Sequence, residues 1–450
     1  MLRFTLIKIE KHLMSQRYIK KILDARVYDV AIETPLTDAR LLSTRFNNHI
    51  VLKREDLQPV FSFKIRGAYN KVFQLTEEEK AKGVIAASAG NHAQGLAYSA
   101  QKLGIKATIV MPQTTPEIKV NSVKSRGAKV ILKGDAFDEA SAYALDLVKK
   151  KGMVYIPPYD DEDVIAGQGT VGKEILEQMP RVPDAVYVCT GGGGLVSGIG
   201  TWIKAMSPST KIIAVEPEGA QTLKTSLDAG RPTPLNKVDG FADGVAVKLI
   251  GTNTLEIAKT VVDEHVAVSN DEICAAVKDI FEDTRAISEP SGALALAGLK
   301  AYAQQHQLKN KRLAAVLSGA NVNFHNLRYV SERTELGEKK EAVLAVTIPE
   351  RQGAYLEFVE HLGGRAITEF NYRYASDEQA NIFVGIRVSN SDQELPELVN
   401  RLEQHGYQVA NLIDDELAKQ HVRYMVGGRP GKALNERLYS FEFPDKPGAR

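Results

Sequence analysis

Between His49 and about Asn326, short apolar, β-branched runs alternate with longer stretches in which apolar residues recur every three or four positions. The pairs are Ile50–Lys53 then Phe63–Leu75, Val84–Ala87 then Ala93–Leu103, and Ala107–Met111 then Glu117–Arg126. Val130–Leu132 then Phe137–Lys151, Ala185–Cys189 then Leu195–Met206, and Lys211–Glu216 then Ala220–Ala229 continue the series. A short continuous apolar run suits a strand covered on both faces, and the wider spacing suits a helix with one apolar stripe. This βαβα rhythm predicts a mostly parallel sheet with helices on both sides. Ligands of such sheets sit at the carboxyl ends of the strands. The glycine-rich and polar clusters of this chain fall just after strand-like runs, where such a fold places a site.

The pattern changes after about Leu336. A charged break, Lys339-Lys340-Glu341, precedes Ala342–Ile348 (strand), Gly353–Leu362 (helix), Ala366–Ala375 and Ala380–Ser389 (strands), Leu395–Gln404 (helix) and Gln408–Ile413 (strand). That order, βαββαβ, predicts a ferredoxin-like unit. The segment Val346–Ala354 is echoed by Phe441–Ala449, with Pro349 and Pro444, Gly353 and Gly448 in equivalent places. The echo predicts a second copy that starts near Leu438 and is cut off at Arg450 after one strand; chance similarity in a strand-turn segment is the alternative.

Composition narrows the class. Of 450 residues, 44% are hydrophobic and 25% charged, as in average globular proteins, and length alone predicts about three domains. Lys+Arg 57 against Asp+Glu 56 leaves a net charge of +1, so nothing draws the chain electrostatically to nucleic acid or an anionic membrane. The two cysteines, Cys189 and Cys274, form no CxxC pair, which argues against a disulfide scaffold and a structural zinc site. The chain has no long uninterrupted apolar run for a membrane helix, and Lys8, Glu10, Lys11 and His12 break up any signal-like core. Met14 is an alternative start. The expectation is a cytoplasmic protein.

Four segments carry chemistry. Ser62-Phe63-Lys64-Ile65-Arg66-Gly67-Ala68 sets a lysine between apolar neighbours at a helix start. Partial desolvation there lowers the ammonium pKa and frees an amine that can condense with an aldehyde. Taken alone, such a lysine is more often a solvated surface residue. Ser88-Ala89-Gly90-Asn91-His92-Ala93-Gln94-Gly95 is a strand-to-helix turn that exposes backbone N–H groups to an anion. An ordinary helix cap at Asn91 explains the same residues. Thr190-Gly191-Gly192-Gly193-Gly194-Leu195 lets the backbone wrap a single phosphate at a helix N-terminus; it matches neither a Walker loop nor GxGxxG, and a flexible linker is the alternative. Ser318-Gly319-Ala320-Asn321 follows the strand-like Leu313–Leu317 and offers a hydroxyl to a ring nitrogen, or is only a turn. Together they offer an amine, an amide, a phosphate cup and a hydroxyl, each placed at a strand end of one sheet. Pyridoxal 5′-phosphate has the complementary aldehyde, 3′-oxygen, phosphate and ring nitrogen.

These segments, with Glu289-Pro290-Ser291-Gly292-Ala293, resemble the fold-type II pyridoxal-phosphate enzymes, in the serine/threonine dehydratase branch. The βαββαβ unit resembles the ACT-like regulatory domain of the biosynthetic threonine dehydratases (threonine ammonia-lyases). The resemblance runs from about Tyr18 to Arg450. It implies an α/β catalytic domain of two parallel-sheet lobes over 18–335, a ferredoxin-like ACT-like α+β domain over 341–425, and a truncated second unit over 437–450. It also implies dehydration and deamination of L-threonine, and of L-serine, to a 2-oxo acid and ammonia, the first step of isoleucine biosynthesis. Lys64 would bind the cofactor covalently and act as base at Cα, with Phe63 beside the ring. Asn91 would bind the 3′-oxygen, Gly191, Gly192, Gly193, Gly194 and Leu195 the phosphate, and Ser318 the ring nitrogen. Ser88, Gly90 and His92 would line the substrate carboxylate pocket, closed by Phe241–Gly244 and Glu289. A homotetramer, inhibited by isoleucine and relieved by valine, is implied as well.

Two departures sharpen this. Ala89 stands where racemase relatives tend to carry a second serine, which favours elimination. Glu216-Pro217-Glu218-Gly219-Ala220-Gln221-Thr222 ends in threonine where relatives that bind a divalent cation have an acid, so no metal is expected. The truncated second unit leads to an expectation of weak feedback inhibition. A β-replacement synthase, a catabolic dehydratase and a regulatory protein with a dead catalytic domain are the competing readings.

Overall fold

Fourteen strands are present among the described residues. In the first part of the chain they are β1 (Leu36–Asp38), β2 (His49–Arg54), β3 (Val84–Ala87), β4 (Ala107–Met111), β5 (Lys129–Leu132), β6 (Val154–Tyr155), β7 (Ala185–Cys189), β8 (Lys211–Pro217), β9 (Glu264–Val268) and β10 (Arg312–Leu317). The second part holds β11 (Glu341–Pro349), β12 (Ile367–Tyr374), β13 (Gln379–Arg387) and β14 (Gln408–Asn411). The computed structural model describes residues 16–323, 340–374, 378–389 and 391–413, with residues 327, 329–331, 333 and 334. The chain divides into two compact units, with the break after residue 328.

The first unit contains two sheets. One has six strands in the order β1-β2-β10-β7-β8-β9, parallel except for the antiparallel edge strand β1. The other has four parallel strands in the order β5-β4-β3-β6. The rhythm of the sequence was equally consistent with one sheet, and the expectation that all four chemical segments lie on one sheet is corrected here. Asn91 follows β3 of the small sheet, while the turn before Lys64 is bridged to the end of β10, and the glycine loop and Ser318 follow β7 and β10 of the large sheet. The split arises because β10 returns to pair with both β2 and β7, closing the large sheet without β3–β6. The strands are apolar and fully buried where helices cover both faces, as in Val84–Ala87 and Ala185–Cys189.

Glycines set the spacing of three helices that carry the site. The helix Glu162–Gln178 packs between the helices Lys64–Phe73 and Gly194–Met206. A Cβ on Gly198 would stand 2.6 Å from Gly169 N, and one on Gly167 would stand 2.7 Å from Gly67 Cα. No side chain fits at either crossing, so the backbones meet directly. Asp161 caps the middle helix by accepting from Asp163 N at 2.9 Å and Val164 N at 3.2 Å.

The second unit is an antiparallel sheet in the order β12-β13-β11-β14, joined by the helices Ala354–His361 and Ser391–Gln404. Its core includes Leu344, Phe358, Ile382, Val384 and Leu398. The βαββαβ order expected from the sequence is the order observed. The expected second copy over 437–450 lies outside the described residues.

Candidate active site

Lys64 is the first residue of its helix, and the turn before it is fastened to the end of β10. Phe63 N donates to Ser318 O at 3.2 Å, and Ser62 forms a β-bridge with Gly319. Lys64 Nζ donates to the Pro158 carbonyl at 2.8 Å, just past β6, and lies 5.2 Å from the Phe63 ring centroid. Burial pushes its ammonium down to about 8, against the opposing pull of Cys189 and Glu289. An amine in that range is partly neutral near neutrality, as condensation with an aldehyde requires.

Two residues along the same helix, Arg66 is fully buried in a group of four charges. It meets Glu55 at 2.8 Å through both Nε and Nη2, meets Glu174 Oε2 at 2.9 Å, and reaches Thr170 Oγ1 at 3.0 Å. Lys53 completes the group with Glu174 at 2.6 Å. Burial alone would raise the Glu55 pKa, but Arg66 and Lys53 hold it below its ordinary value. Nothing in the sequence pattern marked Arg66 as more than part of the lysine motif; the charged run Lys53-Arg54-Glu55-Asp56, directly after the apolar Ile50–Leu52, was the available signal.

The turn Gly191–Gly194 leads from β7 into the helix Gly194–Met206. Its carbonyls are held from behind: Gly192 O accepts from Thr254 Oγ1 at 2.7 Å and Gly191 O from Thr222 Oγ1 at 3.1 Å. Among the described residues, no backbone partner takes the N–H groups of Gly191 to Leu195. A Cβ on Gly191 would stand 2.7 Å from Val245 O and one on Gly192 2.2 Å from the Tyr159 ring; Gly193 has φ +88°. Free N–H groups at a helix start, in a cradle that side chains would fill, suit a phosphate. The lysine, the cradle and the amide and hydroxyl groups described next fit pyridoxal phosphate.

Lys64, Phe63, Asn91, Gly191–Gly194, Leu195 and Ser318 line one cleft, together with Tyr159, Cys189, Gly244, Val245, Glu289 and Ser291. Asn91 Nδ2 donates to Glu289 Oε1 at 2.6 Å, and Ser291 Oγ donates to the same oxygen at 3.0 Å. Burial, then the charge of Asp243, pushes the Glu289 carboxyl up to about 7. Asp243 is itself paired with Lys119, a residue of the small-sheet side, at 2.6 Å. Ser318 Oγ donates to Ser291 O at 3.3 Å. Burial pushes the Cys189 thiol up to about 11, so it is inert at neutrality.

Ser88, Gly90 and His92 are not part of that lining. The His92 ring is buried and donates through Nε2 to the Ile156 carbonyl at 2.8 Å; burial and the nearby Lys64 charge push it down to about 3, so it is neutral. Ser88 Oγ accepts from Gly90 N at 3.4 Å. Tyr159 escaped the sequence reading because it follows a two-residue strand with no periodic pattern. The Glu216 carboxylate accepts from Leu223 N at 2.7 Å, Lys224 N at 3.1 Å and His265 Nε2 at 2.8 Å. Among the described residues, no group of three or more His, Cys, Asp or Glu is placed to hold a metal ion.

Comparison with known proteins supplies the relatives. Residues 27–319 match the family model for pyridoxal-phosphate dependent enzymes, and residues 332–422 match the C-terminal regulatory domain of threonine dehydratase. The biosynthetic L-threonine dehydratase of Salmonella typhimurium is 56% identical over 432 residues, 96% of this chain and 84% of that protein. The biosynthetic chloroplastic threonine dehydratase of Arabidopsis thaliana is 48% identical over 435 residues, 97% of this chain and 73% of that one. Among solved structures, the processed form of threonine deaminase isoform 2 from Solanum lycopersicum superposes with a TM-score of 0.70 at 49% identity, covering 71% of this chain and 93% of that one. Maize serine racemase follows at 0.65 and 33%, covering 70% and 96%.

Proposed function

The chain belongs to the pyridoxal-phosphate-dependent enzymes, in their threonine dehydratase branch, and from that premise we propose how its residues divide the work. It is a pyridoxal-phosphate-dependent lyase that deaminates L-threonine for isoleucine biosynthesis. The observation that carries the assignment of roles is the single cleft shared by a buried, pKa-lowered lysine and a glycine cradle with unengaged N–H groups.

Bound pyridoxal phosphate supplies an aldehyde for attachment and an electron sink that makes the substrate Cα–H acidic. Lys64 would be the residue of attachment, and its free amine would take the substrate Cα proton. The N–H groups of Gly191 to Leu195 hold the phosphate, and Phe63 packs beside the ring. Asn91 donates to the 3′-oxygen. Ser318 faces the ring nitrogen with a neutral hydroxyl, which keeps the sink shallow and favours elimination of the β-hydroxyl. Glu289, its carboxyl pushed up to about 7, is only partly ionised at neutrality and so brings less charge beside Asn91 than an ordinary carboxylate. Ser88, Gly90 and His92 shape the turn from which the substrate carboxylate is bound. L-Serine is accepted too, because one methyl group is worth only about 1–3 kcal/mol of discrimination.

In this reading the catalytic domain spans 18–335 and the regulatory domain 341–425. Isoleucine and valine bind the latter in opposition, in a cytoplasmic homotetramer. The test is threonine alone with the loaded enzyme, followed for a 2-oxo acid and ammonia. Wild type forms both, and Lys64→Ala forms neither. If product appears only when a second, nucleophilic substrate is added, the enzyme is a β-replacement synthase and the reading fails.

A further inference from the structure

Asn91 opens the helix after β3, on the small-sheet side, whereas Asn321 follows β10 and Glu289 opens the helix Pro290–Gln305 on the large-sheet side. Asn321 Nδ2 donates to the Val60 carbonyl at 2.8 Å and to Asn91 Oδ1 at 2.7 Å. Asn91 Nδ2 donates to Glu289 Oε1 at 2.6 Å, an oxygen that also accepts from Ser291 Oγ at 3.0 Å.

The orientation of an amide is settled by its hydrogen-bond network, and this network has one solution. A backbone carbonyl only accepts, so the Asn321 nitrogen faces Val60. Both hydrogens of that nitrogen then have an acceptor, which requires Asn91 to present its oxygen. The opposite Asn91 rotamer would set two NH2 groups against each other and turn an oxygen onto Glu289 Oε1. Asn91 Nδ2 donates one hydrogen to Glu289 and retains a second that neither neighbour takes, on a side chain that lines the Lys64 cleft.

We propose that Asn321 is a positioning residue: by donating to Asn91 Oδ1, against Glu289 on the other side, it holds the Asn91 nitrogen as the donor to the cofactor 3′-oxygen. This rests on the cofactor reading given above. Without Asn321 the Asn91 amide is free to turn its oxygen toward the ligand, and the 3′-oxygen loses a donor to its anionic form.

The test loads wild type, Asn321→Asp and Asn321→Leu with pyridoxal phosphate and titrates the visible absorbance of the attached cofactor against pH, alongside kcat and KM for threonine. Losing a hydrogen bond to a charged oxygen moves the titration midpoint upward by about one pH unit. Both variants are expected to show that shift, with kcat falling more than KM changes. Asp forces the amide to reverse, and Leu removes the donor without adding charge. Superimposable titrations for wild type and Asn321→Leu overturn the proposal, as does a shift confined to Asn321→Asp, the mark of added charge alone. A wild-type chain that shows no attached cofactor removes the underlying reading, a result distinct from either.

Discussion

Replacing Arg66 with methionine tests how far the buried charge group supports the lysine helix. In the native chain Lys53, Glu55, Arg66 and Glu174 have no exposed side-chain surface, and two positive charges face two negative ones. Methionine fills much of the volume but removes one charge and its bonds to Glu55, Glu174 and Thr170. One Lys53 then faces two carboxylates. Breaking a buried pair from one side costs about 3–5 kcal/mol. At roughly 2 °C per kcal/mol for a domain of this size, the thermal midpoint falls by about 6–10 °C. The pH dependence gives a sharper check. With Arg66 present, the Glu55 pKa lies below its unfolded value, so its ionisation stabilises the fold above the unfolded carboxylate pKa and that support is lost as pH falls. Without Arg66, burial raises the Glu55 pKa, and protonation relieves the variant as pH falls. Calorimetry on both chains should therefore show a gap that narrows from about pH 8 to about pH 5. A drop under about 2 °C, or a gap that widens toward acid, would refute the reasoning.

Gly192→Ala places a methyl 2.2 Å from Tyr159 Cδ1, on a ring held by a Tyr159 Oη bond to Leu249 O at 3.0 Å. Overpacking of about 1–3 kcal/mol should weaken cofactor affinity by about fivefold to about a hundredfold, read by equilibrium dialysis; unchanged affinity would place the phosphate elsewhere. Glu289 has a folded pKa of about 7, above its unfolded value, so it favours the fold below about pH 4 and that contribution is lost as pH rises to 7. Glu289→Gln should flatten this part of the cofactor-free stability profile, and an unchanged slope would show that another group titrates.

The parts of the site that were legible in the sequence are contiguous. Asn91, Gly191–Gly194 and Ser318 each sit in a short motif directly after a strand-like run, and Lys64 in one at a helix start, and the structure puts all of them on one cleft. What stayed hidden depends on contacts distant in the chain. The helix Glu162–Gln178 is buried almost all round and carries three glycines, so it shows no clear stripe, yet it spaces the two helices that bear Lys64 and the glycine turn. The division into two sheets follows from β10 pairing with β2 across most of the first unit, which no local pattern reports. Strand β1 is three residues long and β9 only half-buried, so neither has the apolar run that marked the central strands. The second unit was read almost element for element, because its amphipathic strands and helices alternate over short distances.

We propose that one amine, Lys64 Nζ, joins the cofactor at the cleft of the glycine turn. Borohydride reduction of the loaded enzyme, followed by peptide mass spectrometry, reads that bond directly. The pyridoxyl mass is expected on the peptide containing Lys64, with labelling of that peptide absent in Lys64→Ala. A pyridoxyl group on Lys119 or another lysine of an enzyme that still turns over threonine would contradict it.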